Sequence, residues 1–174
     1  MTRKRVFADT NVILECFRIN VWAELTQRCQ VETVEMCVTE TLTGDRTRTD
    51  FIEVDPERLK KGLHKVHPVS KRELDLFNLT YEKMASLDDG ELHLYAYLWS
   101  NKVRLSEVVV LSTADKGAVL RANDLPDWLD WIQSLQELLR DAKLPRAKID
   151  AVGPQHTAAF LSKVRTDVRN GVIP

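Results

Sequence analysis

The chain of 174 residues lacks several features that mark particular classes of protein. No stretch approaches 18 consecutive apolar residues, so we expect no membrane-spanning helix. The basic start, Met1–Arg5, resembles the beginning of a signal peptide, but Asp9 and Asn11 interrupt the apolar run behind it, and we expect no export signal. There is no internal repeat and no low-complexity tract. These absences predict a cytoplasmic globular protein that does not enter a membrane.

Cysteine is scarce, and its pattern argues against two kinds of site. The three cysteines, Cys16, Cys29 and Cys37, are odd in number, lack Cys-x-x-Cys spacing and lie in apolar surroundings. Such residues are typical of reduced, buried thiols in a cytoplasmic protein. We therefore expect neither a disulfide framework nor a zinc site.

The chain also has no excess of charge of either sign. With 25 Lys and Arg against 26 Asp and Glu, its net charge is −1, so a nucleic-acid partner would need a local basic surface. One segment qualifies through six basic residues: Arg58, Lys60, Lys61, Lys65, Lys71 and Arg72. No aromatic residue interleaves with these lysines, so base stacking is not predicted there. Contact with RNA phosphates and a merely solvated charged surface both explain the segment.

What the sequence does contain is an alternation of strand and helix patterns. Alternating elements of this kind predict a three-layer α/β/α fold with a central, mainly parallel sheet. Apolar periodicity predicts strands at 5–9, 33–38 and 107–112, and helices at 12–30, 89–101 and 116–122, with an amphipathic stretch at 71–85. We assign residues 1–122 to one α/β domain and residues 123–174 to a helical C-terminal extension packed on that domain.

The extension carries an aromatic stripe formed by Trp128 and Trp131. This stripe could bury against the domain, form a dimer interface or receive a partner helix. We favour core packing, because amphipathic helices usually serve their own domain.

Four acids stand at comparable places along the α/β part. Asp9 ends the first strand, Glu40 follows the second, Glu91 begins a helix and Asp115 follows the strand at 107–112. Because the carboxyl ends of parallel strands meet at one edge of a sheet, we expect these acids to converge. Carboxylate oxygens are the ligands that Mg²⁺ and Mn²⁺ prefer, so the pattern predicts a divalent-metal site. Such a site fits hydrolysis of a phosphate ester by metal-activated water.

Each acid also has a purely structural explanation. Asp88 with Glu91, and Ser112 with Asp115, have the spacing of a capping box, while Asp9 could form an Asx-type turn. Glu40 could simply favour the positive end of a helix. Helix capping explains each acid separately and does not require the acids to lie together. A metal site does require acids from separate elements at one edge of the sheet, and the sequence places them there.

These motifs resemble those of the PIN domain, a nuclease fold shared by VapC-type toxins and several RNA-processing enzymes. The resemblance covers residues 5–122. It rests on Asp9-Thr10-Asn11, on Glu40, on the helix start Leu87-Asp88-Asp89-Gly90-Glu91 followed by Tyr95-Ala96, and on Leu111-Ser112-Thr113-Ala114-Asp115-Lys116. The tail beyond residue 123 departs from many toxin members, which end near the last strand.

The resemblance implies an endoribonuclease that cleaves single-stranded RNA with Mg²⁺ or Mn²⁺ and forms no covalent intermediate. It implies that Asp9, Glu91 and Asp115 are metal ligands and that Glu40 is a ligand or positions the attacking water. It gives supporting roles to six further residues: Thr10, Asn11, Asp88, Asp89, Ser112 and Thr113. It also implies that the protein could be a toxin with a small antitoxin partner and could form a homodimer.

Two other functions remain open. A haloacid-dehalogenase-like phosphatase also places an aspartate at the end of its first strand, but it normally needs a second acid two positions later, where this chain has Asn11. A catalytically silent PIN-like module for binding or assembly would share all the motifs. Trapping a phospho-aspartate would favour the phosphatase, and absence of metal-dependent cleavage would favour the silent module.

Overall fold

The computed structural model describes residues 3–44, 47 and 49–172. Met1 and Thr2 of the basic start lie outside the described residues, as do the last two residues of the extension. The described chain is an α/β fold whose sheet is parallel throughout and flanked by helices, which confirms the predicted three-layer architecture.

The sheet has the order β3-β2-β1-β4. Its strands in the described residues are β1 (Arg5–Ala8), β2 (Gln30–Val34), β3 (Lys65–His67) and β4 (Val109–Ser112). In register, Arg5 lies beside Gln30 on one side and Val109 on the other. The chain first builds outward from β1 to β2 and β3, and then returns to place β4 on the free side of β1. The order of strands therefore reverses between β1 and β4.

Helices fill the connections and the C-terminal part. Within the described residues they are α1 (Thr10–Arg18), α2 (Trp22–Arg28), α3 (Glu35–Leu42), α4 (Pro56–Gly62), α5 (Lys71–Thr80), α6 (Asp89–Ser100), α7 (Lys116–Ala122), α8 (Leu135–Asp141), α9 (Arg146–Ile149) and α10 (Ala158–Arg169). Short 3₁₀ segments lie at Glu82–Ser86, Trp128–Trp131 and Pro154–His156.

The core has two parts because successive side chains of a strand point to opposite faces of the sheet. On β1, Phe7 belongs to one apolar cluster, whereas Val6 and Ala8 belong to the other. On β4, Leu111 belongs to the same cluster as Phe7, and Val110 belongs to the cluster of Val6 and Ala8. Side chains of α6, α7 and α10 complete the first cluster, and those of α1, α2 and α8 complete the second. The sheet is thus covered on both faces.

The predicted strand at 33–38 is wrong in its position. Strand β2 ends at Val34, and Glu35 begins α3, which carries Glu40. The alternating apolar residues of this stretch are typical of a strand, but Cys37 and Thr41 are four apart and both buried, which is the spacing of one helix face. Tertiary packing on α6 and α1 selects the helix.

The predicted helix at 12–30 is interrupted. It forms α1 and α2, with Asn20 between them in the left-handed region at φ 54°. Asparagine tolerates this conformation better than most residues, so the break has a local cause. The strand predicted at 107–112 begins only at Val109, since Val108 is exposed before it.

The C-terminal residues contribute to both apolar clusters. Trp128 is buried with its ring edge against Tyr95, at 5.3 Å between ring centroids, and Trp131 packs on the same cluster while partly exposed. Leu138 joins the opposite cluster. These contacts are those expected of core packing, while the proposed division at residue 122 stays a prediction. In the described residues no helix is long and apolar enough to cross a membrane, and all three cysteines are free and buried.

Candidate functional site

Two of the predicted acids converge because their strands are neighbours. Asp9 directly follows β1 and Asp115 lies three residues beyond the end of β4. The two strands are parallel and in register, with Ala8 beside Ser112, and the Asp9 amide continues the pairing by donating to Ser112 O at 3.2 Å. This is the point where the strand order reverses, the usual place for a crevice in an open parallel sheet.

Asp9 combines a structural bond with an unused oxygen. It caps α1, accepting a hydrogen bond at Oδ1 from the Val12 amide at 2.8 Å. The residue is only 1% exposed, and its Oδ2 is buried with no partner in hydrogen-bonding geometry among the described residues. Burial raises the pKa of Asp9 to about 6, with a smaller contribution from Asp115, although Thr113 and the Ala114 amide favour the charged form. The hydrogen bond at Oδ1 reaches the amide three residues on, so Asp9 is a helix N-cap and not an Asx-type turn, and the cap accounts for only one of the two oxygens.

Asp115, like Asp9, caps a helix with one of its two carboxylate oxygens. It caps α7 by accepting at Oδ1 from the Ala118 amide at 2.9 Å, and its own amide donates to Thr113 Oγ1 at 3.2 Å. The Ser112 hydroxyl donates instead to Gln133 O at 2.8 Å. Ser112 is therefore not the cap of α7, and its side chain holds β4 to the segment that follows α7.

Glu91 brings the third carboxylate from α6. The residue is 6% exposed, and its Oε1 is buried without a partner among the described residues. Burial, together with the nearby charges of Asp9, Asp115 and Asp88 in that order, raises the pKa of Glu91 to about 9. At neutral pH and without a cation, this carboxyl group therefore holds a proton.

The position of α6 is fixed by a buried tyrosine one turn beyond Glu91. The Tyr95 hydroxyl donates to Ala118 O at 2.7 Å, which joins α6 to α7. Burial raises the pKa of Tyr95 well above its ordinary value, and the negative charges of Glu91, Asp9 and Asp115 add to the effect. The charges of all three acids thus reach the same buried hydroxyl.

Glu40 reaches the site from α3 and not from a strand end, contrary to the sequence-based expectation. Its Oε2 accepts a hydrogen bond from the Thr10 hydroxyl at 2.5 Å, and its Oε1 accepts from the Gly90 amide at 2.9 Å. A carboxylate at the first turn of α6 also interacts favourably with the positive end of that helix. Glu40 thereby ties α1, α3 and α6 together beside the other acids.

Gly90 is a site residue that the sequence analysis named only as part of a motif. A Cβ atom on Gly90 would overlap Glu40 Oε2 and approach Thr10 Oγ1 to 3.0 Å. The Gly90 carbonyl also accepts from Cys37 Sγ at 3.4 Å. The signal in the sequence was a glycine in the first turn of a helix, where its low helix propensity needs a reason.

An open cleft of about 490 Å³ gives access to Asp9, Glu40 and Glu91, whereas Asp115 does not line it. It is lined by Asp9, Thr10, Asn11, Glu40, Leu87, Asp88, Asp89 and Glu91. Asn11, Asp88 and Asp89 are exposed in it. The Asp88 side chain makes no cap hydrogen bond at the start of α6, so the capping box suggested for Asp88 and Glu91 does not form.

The basic segment does not lie together as one surface beside the acids. Lys60 and Lys61 are near the end of α4, and Lys65 begins β3, so these three lie toward the amino end of the sheet. Lys71 and Arg72 begin α5, which follows β3 at the edge of the sheet where the acids lie. Strand β2 lies between β3 and β1, so these two residues are separated from Asp9 by the width of a strand. All five are exposed.

The donor set suits a hard divalent cation. Two buried carboxylate oxygens, Asp9 Oδ2 and Glu91 Oε1, have no partner among the described residues, and both carboxyl groups have raised pKa values. A cation would supply the missing positive partner. In the part of the chain that the structure describes, no group of three or more His, Cys, Asp or Glu side chains is already arranged so that it could hold a metal ion.

Comparison with known proteins identifies no family for this chain. No family model matches it, and neither a curated protein nor a solved structure matches it significantly.

Proposed function

We propose that this protein is a divalent-metal-dependent endoribonuclease of the PIN type, which hydrolyses phosphodiester bonds of single-stranded RNA. The observation that carries the proposal is the pair of buried, unpartnered carboxylate oxygens on Asp9 and Glu91, beside Asp115, at the strand reversal between β1 and β4. Burying several acids together is unfavourable unless a cation accompanies them. The choice of RNA as substrate rests on the PIN resemblance of the motifs.

Asp9, Glu91 and Asp115 would hold Mg²⁺ or Mn²⁺. When bound, such an ion lowers the pKa of a water molecule and neutralises charge on a phosphodiester. Asp9 and Asp115 are each fixed by a cap hydrogen bond through Oδ1, which leaves the second oxygen of each carboxylate for a ligand. Because the two caps sit on neighbouring strand ends, these acids are preorganised without help from the substrate.

The remaining residues of the cleft have two roles, since some hold Glu91 in position and others can contact the substrate. Glu40 and Thr10 bond to each other and hold the first turn of α6, so they position Glu91. Asn11 and Asp89 are exposed in the cleft, where the Asn11 amide can donate to a phosphate or sugar oxygen and the Asp89 carboxylate can accept from a sugar hydroxyl. Thr113 favours the charged form of Asp9 and accepts from the Asp115 amide.

The biological setting is a further part of the proposal and rests on the resemblance alone. By that resemblance the protein would act in the cytoplasm as the toxin of a toxin–antitoxin pair, with a small antitoxin covering the acids, and could form a homodimer. This setting is tested by co-purification from the native source and by growth on overexpression. Recovery of free protein only, without a growth defect, would reject toxicity and leave the nuclease proposal standing.

The experiment that tests the activity is a cleavage assay on end-labelled single-stranded RNA. We expect cleavage with Mn²⁺ or Mg²⁺, none with EDTA, and none from Asp9→Ala or Asp115→Ala, because each removes a proposed ligand. Glu107→Gln is a matched control, since this exposed acid precedes β4 and lies away from the cleft. Equal metal-dependent cleavage by the Asp9→Ala/Asp115→Ala double variant would overturn the assignment.

A further inference from the structure

A second cleft lies at the other end of the sheet and has the opposite charge. It has a volume of about 480 Å³, and its lining includes Arg3, Arg58 and Lys61. Arg3 precedes β1, and Lys61 lies near the end of α4, shortly before β3. These residues are therefore at the amino ends of the strands, whereas the acids follow the carboxyl ends. No aspartate or glutamate of the described residues lines this basic cleft.

The three cations of the basic cleft are unpaired, which distinguishes them from their neighbours. Elsewhere around α1 and α2, Arg18 pairs with Glu15 and Lys148 with Glu24. Among the described residues, neither Arg3, Arg58 nor Lys61 has a carboxylate within ion-pair distance. Arg3 and Lys61 line this cleft, and the like charges of these two residues repel each other and favour an anion between them.

The floor of the basic cleft is rigid. Trp22 is 2% exposed, and its Nε1 donates to Arg58 O at 3.0 Å, which fixes α4 against α2. A Cβ atom on Gly62 would overlap Trp22 Nε1, so the glycine is what permits this close approach. The Arg58 guanidinium lies over the Phe17 ring at 5.7 Å and donates to Asn20 Oδ1 at 3.2 Å. Phe17 and Asn20 do not line the basic cleft, and Arg58 lines both this cleft and its neighbour, so its guanidinium lies at the boundary between the two.

From this geometry we propose that the basic cleft binds the phosphate groups of an anionic ligand. Arginine offers a planar set of donors to phosphate oxygens and lysine offers a compact charge, so Arg3 and Lys61 together suit a ligand with two or more phosphates, and Arg58 adds positive charge from the boundary of the cleft. The indole ring is buried and cannot stack on a base, so recognition is of phosphate and not of base identity. The phosphates belong either to a free phosphorylated small molecule or to an RNA strand. This proposal does not depend on nuclease activity.

The test measures binding by isothermal titration calorimetry, in EDTA so that no metal occupies the acidic cleft. The two probes are inorganic tripolyphosphate and a short single-stranded oligoribonucleotide. We expect at least one probe to bind, with an affinity that falls as salt rises, and we expect Lys61→Glu to weaken it about tenfold or more. The probe that binds at the lower concentration identifies the source of the phosphate.

Lys60→Glu is the matched control, because Lys60 is adjacent on the same helix, equally charged and exposed, but does not line the cleft. We expect this control to change affinity by less than about twofold, and Arg3→Glu to reproduce the effect of Lys61→Glu. Failure of both probes to bind the unaltered protein would overturn the proposal. So would an equal loss in Lys60→Glu and Lys61→Glu, since binding would then follow overall charge and not the cleft.

Discussion

The two clefts are built from like charges in opposite ways. In the acidic cleft, Asp9 and Glu91 are almost fully buried, and the pKa values of both are raised because the charged forms lose water and repel one another. In the basic cleft, Arg3, Arg58 and Lys61 are exposed and keep their hydration. The comparison shows that repulsion within a group of like charges lowers the stability of the fold only where those charges are buried. Changes of charge in the acidic cleft should therefore alter stability as well as function, and changes of charge in the basic cleft should alter only binding.

The largest effect should come from substituting the buried acids. We expect Glu91→Gln to lower the cleavage rate by on the order of 10²-fold or more, because a neutral amide is a poor ligand for Mg²⁺. Glu40→Gln should lose less, since an amide oxygen can still accept from Gly90 and its NH₂ can donate to Thr10 Oγ1. Single-turnover cleavage of labelled RNA measures both. A rate for Glu40→Gln as low as that for Glu91→Gln would show that Glu40 acts through its charge and not by positioning α6.

The next effect concerns the dependence of stability on pH in the presence of a chelator. The pKa of Glu91 is raised from 4.5 to about 9 in the folded protein. The folded protein therefore binds this proton more tightly than the unfolded chain does, which adds to the free energy of unfolding. This contribution is fully present below pH 4.5 and is lost as pH rises toward about 9. At ~1.4 kcal/mol per pH unit the loss amounts to several kcal/mol. Urea unfolding at a series of pH values measures it.

Glu91→Gln is the variant that isolates this pH effect, because an amide does not titrate. We expect its stability to fall much less than that of the unaltered protein across the same range. Lys61→Gln should leave the pH dependence as it is, since the basic cleft is not buried. An equally steep fall in Glu91→Gln would show that another group causes it.

Gly62 in the basic cleft and Gly90 beside the acidic cleft allow the packing of the two sites to be compared. Gly62→Ala places a methyl group against the rigid, buried Trp22 ring and should cost roughly 1–3 kcal/mol of stability. Gly90→Ala meets the end of the Glu40 side chain, which can move away, so it should cost only about 1 kcal/mol through lost hydrogen bonds. It should nevertheless lower cleavage, because Glu40 no longer holds α6. Thermal melts and the RNA assay separate the two outcomes.

A suitable control for the glycine pair is Gly44→Ala, whose Cβ would meet the Phe51 ring at 3.4 Å, close to ordinary contact. We expect the melting temperature of this variant to change least. A larger loss of stability in Gly90→Ala than in Gly62→Ala would contradict the view that Trp22 is the more rigid neighbour.

The smallest effect is the shift in melting temperature on adding Mn²⁺. A ligand that binds only the folded state stabilises it by about 0.4 kcal/mol at a concentration equal to its dissociation constant, which raises the melting temperature by roughly 1 °C. We expect the shift in the unaltered protein and in Lys61→Glu, and we expect it to vanish in Asp9→Ala. Persistence of the full shift in Asp9→Ala would place any metal site elsewhere.

Several elements could be predicted from the sequence because their pattern is local. The apolar residues of β1, the β-branched run of β4 and the periodicity of α6 and α7 gave bounds within one or two residues of those observed. The short edge strand β3 was not predicted, since a three-residue strand with two exposed positions has no distinct pattern. The helix at 35–42 was mistaken for a strand because only its packing on α6 decides between the two periods.

The sequence by itself determined the alternation of elements, the buried thiols and the placement of Asp9 and Asp115 after strands, because these follow from short-range periodicity. Only the tertiary structure decided that Glu40 bonds to Thr10 and Gly90, that Gly90 must lack a side chain, and that Arg3, Arg58 and Lys61 line one cleft at the opposite end of the sheet. Such facts depend on distances between residues far apart in the chain. Those distances are set by how helices pack on the sheet, and no local pattern of residues encodes them.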